Sequence, residues 1–272
     1  MRLAISELDM RVAASVDEAL IILREEKRTP IAGATDVYVA LNFGTLAPRR
    51  FLDIWALDEL RTIFVHQDKL VIGALASYTT LMQSHLVSER VPMLAEASRF
   101  VGGVQIQNRG TLGGNIANGS PAADGVPVLS AADATVVMRS LDGERRVPIN
   151  SYYTGYRSTV MKPDELIVAI EIPAVEGKQW FRKVGTRAAQ AISKIVMAAV
   201  RAPSPKIALG SVAPTVVRAR MTEQALADGA SIEEAAEILG KEIVPIDDVR
   251  STADYRRRVS MNLLKRFWAD TA

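Results

Sequence analysis

Cysteine is absent from this 272-residue chain. That excludes disulfides, thiolate nucleophiles and any iron–sulfur cluster held by the chain's own ligands. Histidine is scarce: His66 and His85 stand in no metal-binding spacing, so no metal site is expected and both read as surface or capping residues. No run approaches the roughly 18 apolar residues of a membrane span. The stretch Met1-Arg2-Leu3-Ala4-Ile5-Ser6-Glu7-Leu8-Asp9 lacks the apolar core and cleavage site of a signal peptide. A cytoplasmic protein with no membrane insertion is the expectation. Charge of one sign is missing too. With 33 Lys and Arg against 31 Asp and Glu, the net charge of +2 gives no reason to expect nucleic acid as a partner. Arg256, Arg257 and Arg258 read as the solvated face of a helix. The familiar nucleotide signatures G-x-x-x-x-G-K-[ST] and G-x-G-x-x-G do not occur around Gly110, Gly113 and Gly114.

What is present is ordinary globular material, 49% hydrophobic and 24% charged, in a chain long enough for two or more subdomains. Against that background one segment stands out. Seven of the 17 glycines fall between Gly102 and Gly125, a stretch interrupted by only two charges, Arg109 and Asp124. It is too apolar for a solvated linker and too rich in glycine for a helix or central strand. Glycine permits close backbone approach, and successive N–H groups can form an anion-binding nest. With Thr111, Asn115 and Ser120 alongside, the run reads as a cradle for a phosphate-bearing ligand. Gly102 and Gly103 read as a helix terminator. Asn108 and Arg109 either touch the ligand or fix the loop.

Ser15-Val16-Asp17-Glu18 and Ser231-Ile232-Glu233-Glu234 are capping boxes that open helices, the first running to about Arg28. Ile31-Ala32 starts a short strand, Gly33 turns the chain, and Thr35 and Asp36 open a helix, a junction that presents free N–H groups to an anion. Ala34 costs nothing in a right-handed turn and about 1 kcal/mol in a left-handed one. Residues 62–66 and 69–73 form a hairpin across Gln67-Asp68. Strands are expected at 51–54, 133–139, 166–172, 180–184 and 206–212, and Ile192–Val200 is a helix or a strand. Helices begin at Thr79 and Pro92, and three close the chain at 219–227, 231–239 and 253–268. In the last, Tyr255, Val259, Leu263 and Phe267 form one apolar face. Pro173–Lys178 is the expected domain boundary.

The segments Thr111-Leu112-Gly113-Gly114-Asn115 and Ser120-Pro121-Ala122-Ala123-Asp124 resemble the second flavin loop of the FAD-binding subunits of the xanthine dehydrogenase/carbon monoxide dehydrogenase family of molybdenum hydroxylases. Ile31-Ala32-Gly33-Ala34-Thr35-Asp36-Val37 resembles the first loop, with Ala34 where the family often has glycine. Phe181–Arg187 and Ala208–Pro214 match the C-terminal third, while 200–206 is shorter than the hairpin of relatives. The resemblance implies an α+β protein: a two-subdomain FAD-binding domain of the covalent-flavin (PCMH-like) type at 1–175, split into about 1–55 and 56–175. A C-terminal α/β domain with a small antiparallel sheet and helices follows at 176–272.

It also implies roles. Ala32, Gly33, Ala34, Thr35, Asp36 and Val37, with Thr111, Gly114, Asn115, Asn118 and Ser120, surround the diphosphate and adenosine, giving N–H groups and polar side chains. Asp124 bonds a ribose or ribityl hydroxyl, Leu166 makes a main-chain contact to adenine, and Lys183 is a partner for the electron-rich side of the flavin. Tyr152, Tyr153, Tyr156 and Arg157 either pack over the flavin or form a loop core. With no histidine or cysteine in a flavin loop, non-covalent FAD is expected. Electrons would arrive from a [2Fe–2S] subunit served by a molybdopterin subunit and leave to NAD, oxygen or a quinone. Two other readings remain: a degenerate, non-catalytic homologue acting in assembly, and a stand-alone oxidase of the covalent-flavin fold.

Overall fold

The computed structural model describes residues 7–272; Met1–Ser6, on which the signal-peptide reading partly rests, lie outside the described residues. A small parallel sheet comes first. It contains β1 (Asp9–Val12), α1 (Val16–Glu25), β2 (Thr29–Ile31), α2 (Val37–Phe43) and β3 (Arg50–Asp53), with strand order β1-β3-β2. Ser15 caps α1 as expected, accepting the Glu18 N–H. The return half of the box slips by one residue, because the Glu18 carboxylate takes the Ala14 N–H at 2.7 Å. The helix stops before Arg28. Glu26 is already extended, and Arg28 is drawn into ion pairs with Asp9 and Glu26.

A five-stranded antiparallel sheet follows. Its hairpin, β4 (Ile63–His66) and β5 (Lys69–Gly73), turns through Gln67 and Asp68 at φ 47° and 62°, the doubly positive pattern of a type I′ turn. Six helices intervene: α3 (Tyr78–Gln83), α4 (His85–Arg90), α5 (Pro92–Arg99), α6 (Val104–Arg109), α7 (Leu112–Asn118) and α8 (Gly125–Ala131). Then come β6 (Thr135–Ser140), β7 (Gly143–Pro148), a short pair β8 (Tyr153–Gly155) and β9 (Ser158–Thr159), and β10 (Leu166–Ile172). Strand order is β4-β5-β10-β6-β7, which puts β10 at the centre.

The remainder is a meander, β11 (Lys178–Val184), β12 (Ile195–Arg201), β13 (Lys206–Gly210) and β14 (Val217–Arg218), backed by α9 (Arg220–Ala227), α10 (Ile232–Glu242) and α11 (Ala253–Asp270). The ambiguous segment 192–200 proves to be strand from Ile195 onward, as β12. Its residues alternate between two cores: Ile195, Met197 and Ala199 pack with α10 and α11, while Val196, Ala198 and Val200 pack into the core that contains α5 and α8. A strand covered on both faces shows no polar alternation, so its period is hidden.

In the last helix Val259 and Leu263 pack against the core that holds Phe267, as the apolar face implies, but the most buried positions are Arg256, Ser260, Leu264 and Phe267, which corrects one expectation. Arg256 is therefore not solvated. It donates to the Ser211 carbonyl at 2.8 Å and to Asp248 at 2.7 Å, and those partners make its burial tolerable. A second polar cluster ties this sheet to the preceding part: Asp133, held at φ 50°, pairs with Lys206 and Arg218 at 2.6 Å each, and Arg218 also pairs with Glu223.

Candidate functional site

β2 ends at Ile31, whose carbonyl accepts the Ile54 N–H at 3.0 Å. The chain then turns through Ala32, Gly33, Ala34, Thr35 and Asp36 into α2. Among the described residues, no acceptor takes the N–H groups of Gly33, Ala34, Thr35, Asp36 or Val37. Five open donors where a strand turns into a helix make a seat for an anion. Ala34 takes the left-handed conformation at φ 60°, so its methyl carries the cost that a right-handed turn would have avoided. Asp36 occupies the N-cap position of α2 without a side-chain capping bond.

The glycine-rich segment is not the non-helical stretch its composition implies: it folds into α6 and α7, and their junction at Arg109–Gly110 packs directly against this turn. A Cβ on Gly33 would lie 1.7 Å from the Arg109 carbonyl oxygen and 3.2 Å from the Gly110 nitrogen. The loop is pinned from beneath by the segment leaving β5. Gly113 and Leu112 donate to the Ala74 and Ala76 carbonyls at 2.9 and 3.0 Å, and Tyr78 donates to that of Gly110 at 3.2 Å. Thr111 then caps α7, its hydroxyl accepting the Gly114 N–H at 3.1 Å and its carbonyl the Asn115 N–H at 3.0 Å. This corrects one expectation, since the N–H groups of Gly114 and Asn115 are spent inside the helix start. Gly114 instead leaves an open backbone surface, for the nearest atom to a Cβ there is Thr111 Oγ1 at 2.8 Å, with no other within 4 Å. Two buried polar atoms in this region, Asn115 Oδ1 and Tyr78 Oη, have no partner.

Asp124 and Lys183 form a buried ion pair at 2.6 Å, with side chains only 9% and 5% exposed. Lys183 also donates to the Phe100 carbonyl at 2.8 Å, and Ser193 donates its hydroxyl to the second Asp124 oxygen. Burial pushes the Asp124 carboxyl up, against the pull of Lys183 and Ser193. The ammonium expected to face a flavin is thus turned to Asp124. Asp124 keeps one acceptor position on each oxygen. Ser120 accepts the Ala122 N–H within its own turn at 3.3 Å. Leu166, the first residue of β10, buries its side chain with Leu57, Leu60 and Leu75.

Residues 6–175 match the family described as "FAD binding domain in molybdopterin dehydrogenase", and residues 180–271 the "CO dehydrogenase flavoprotein C-terminal domain". The chain belongs to this family of FAD-binding dehydrogenase subunits. Among its relatives is the glyceraldehyde dehydrogenase medium chain of Sulfolobus acidocaldarius, 31% identical over 96% of both chains. Another is the xanthine dehydrogenase FAD-binding subunit of Escherichia coli O157:H7, 30% identical over 93% of this chain and 92% of that one. The fold matches carbon monoxide dehydrogenase from Hydrogenophaga pseudoflava at a TM-score of 0.91, with 29% identity and coverage of 98% and 99%.

FAD fits what the residues offer, namely open donors for a diphosphate, an exposed glycine surface for close approach and two unmatched buried polar atoms. Sequence reasoning left Arg157 undecided between flavin contact and loop core. The structure has it bridge the two loops, 2.6 Å from Asn118 Oδ1 and 3.7 Å from Asp36. Trp55 and Tyr78 were not singled out at all. The Trp55 ring carries the guanidinium of Arg109 at 3.7 Å and that of its near neighbour Arg61 at 4.2 Å, and the contact with Arg109, 54 positions away, leaves no local signal.

The geometry orders two substitutions in the glycine-rich segment. Gly114→Val would press on the Thr111 cap and fill the open surface, whereas Ser120→Ala removes one hydroxyl already used locally, worth about 0.5–1.5 kcal/mol. FAD dissociation constants measured on folded protein should rise more than about tenfold for the first and less than that for the second. Equal constants would contradict the cradle.

Proposed function

We propose that this chain is the FAD-carrying electron-transfer subunit of a molybdenum hydroxylase. It takes electrons from a [2Fe–2S] partner subunit, itself served by a molybdopterin subunit, and passes them to NAD, oxygen or a quinone. The observation that carries this reading is the open-donor turn at Gly33–Val37 seated against the Arg109–Gly110 backbone. The chain has no cysteine with which to hold a cluster of its own. Its relatives are named for glyceraldehyde, xanthine and carbon monoxide, which supports placing substrate choice in a different subunit.

We place FAD binding in residues 1–175, with subdomains at about 1–55 and 56–175, and the C-terminal domain at 176–272. Gly33–Val37 would hold the diphosphate through their N–H groups, with Ala32 continuing the turn. Thr111, Gly114, Asn115, Asn118 and Ser120 would form the facing wall. Asp124 would accept from a sugar hydroxyl through its remaining lone pairs, and Leu166 would meet the adenine through its main chain. Lys183 would act by keeping Asp124 charged. Bound FAD supplies the redox chemistry; the residues supply position and electrostatics.

The attachment is non-covalent in this reading. Acid or heat should release FAD into the supernatant at close to one per chain, and flavin that stays with the precipitated polypeptide would refute it. The purified chain should at best oxidise NADH with artificial acceptors. A partner surface of roughly 1,200–2,000 Å² in total is expected beside the flavin mouth. Turnover of a purine, an aldehyde or carbon monoxide by this chain alone, free of molybdenum and iron, would overturn the assignment.

A further inference from the structure

Helix α8 is buried over its whole length, and a carboxylate stands at each end of it. Asp124 precedes its first residue and pairs with Lys183. Asp133 follows its last turn. There the Asp133 and Ala134 N–H groups donate back to the Ser130 and Leu129 carbonyls at 3.2 and 2.9 Å. That is a Schellman close, with Asp133 at φ 50° in the left-handed position usually given to glycine. What the aspartate gains lies outside the helix. Its two oxygens take Arg218 and Lys206 at 2.6 Å each. Arg218 also donates to the Ser130 carbonyl at 2.9 Å, one of the acceptors that a helix C-terminus leaves open. Lys183, Lys206 and Arg218 all come from the C-terminal sheet, on β11, β13 and β14. Helix α8 thus falls within the FAD-binding part of the sequence and is tied at both ends to the part that follows.

Packing leaves α8 one open side. A recess of about 60 Å³ is lined by Val126 and Ser130 of the helix and by Val216 and Arg218 of the C-terminal part. Close packing fixes an element only where atoms touch it, so on that side the polar contacts at the helix end decide where it stands.

We propose that Asp133, held by Arg218 and Lys206, is a remote positioning group for the flavin seat. It fixes the far end of α8, and the helix, seven residues and about 10 Å long, carries that constraint to Asp124 and the turn at 120–124. The proposal rests on the reading that Asp124 and Ser120 face FAD, and one arm of its test needs no FAD at all.

Asp133→Gly is the informative substitution. Glycine suits φ 50° better than aspartate does, so the backbone alone predicts no loss of stability. Arg218 keeps Glu223 and the Ser130 carbonyl as partners, so no buried charge is stranded. Loss of the clamp should speed hydrogen exchange of the 122–125 amides in FAD-free protein about fivefold and raise the FAD dissociation constant by a similar factor. Asp133→Asn tolerates the same backbone and still accepts from Arg218, and should stay within about twofold of wild type in both measurements. Ser231→Ala removes the cap of α10, which packs in the other core, and should change neither. Wild-type exchange at 122–125 in Asp133→Gly would overturn the proposal, as would faster exchange with an unchanged FAD constant. So would a Ser231→Ala effect as large as that of Asp133→Gly, the mark of general loosening. A wild-type chain that takes up no FAD would strike the functional reading instead, and the exchange rates would then decide the clamp alone.

Discussion

Gly33→Ala is expected to yield a colourless protein. The added methyl would stand 1.7 Å from the Arg109 carbonyl oxygen and 2.5 Å from its carbon, and both are backbone atoms that cannot rotate away. Arg109 is held from two sides. Its guanidinium stacks on Trp55, and the next residue is fixed by the Gly110 hydrogen bonds to Ile106 and Tyr78. Relief requires the two loops to separate by more than an ångström. Overpacking of this kind costs about 1–3 kcal/mol or more in stability. The larger loss falls on the ligand, because the donors on one loop and the wall on the other no longer face the same space. The FAD dissociation constant should rise at least about 100-fold, equivalent to roughly 2.7 kcal/mol, with secondary structure by circular dichroism retained. A yellow variant of wild-type affinity would show that the contact between the loops is not what forms the site.

The second large effect concerns Lys183. Lys183→Met keeps the length of the side chain and removes the charge, leaving Asp124 buried with only Ser193 as a donor. Breaking a buried pair from one side typically costs about 3–5 kcal/mol, so urea unfolding at neutral pH should show a loss of that size. The loss carries a pH signature. Without the ammonium, burial raises the Asp124 carboxyl further, and its folded-state value stands above the unfolded one. Such a group contributes stability that is complete below the unfolded value and is lost as pH rises through the folded one. The gap between wild type and variant should therefore narrow as the pH falls from neutral. A gap that stays constant on acidification would mean that Asp124 does not take up the proton.

Where chemistry is local, the sequence was readable. Ser231 and Glu234 sit within one helical turn, and both hydrogen bonds of their capping box form. Gln67 and Asp68 form the two-residue turn expected between their strands. The junction at Gly33 and Asp36 becomes the expected strand, turn and helix. Legibility failed where partners are far apart in the chain. Nothing near Lys183 announces that it will meet Asp124, and nothing near Arg256 announces Ser211 and Asp248. Such pairings are decided by how β11 and α11 dock rather than by any period or cap. The same limit hid the buried Tyr78, which packs beneath Gly110 from more than 30 positions away.

The contact between Gly33 and Arg109 also sets a timetable. A chain leaving the ribosome presents the first loop early and the glycine-rich loop much later, and closing so long an intervening segment costs entropy before any contact repays it. Even then Asp124 has no counter-charge until β11 has been made and has delivered Lys183. A nascent chain that has not reached β11 holds both loops and an uncompensated carboxylate beside them. In the proposed reading flavin loading therefore follows synthesis of the second domain, and a truncation before β11 removes the charge that neutralises Asp124.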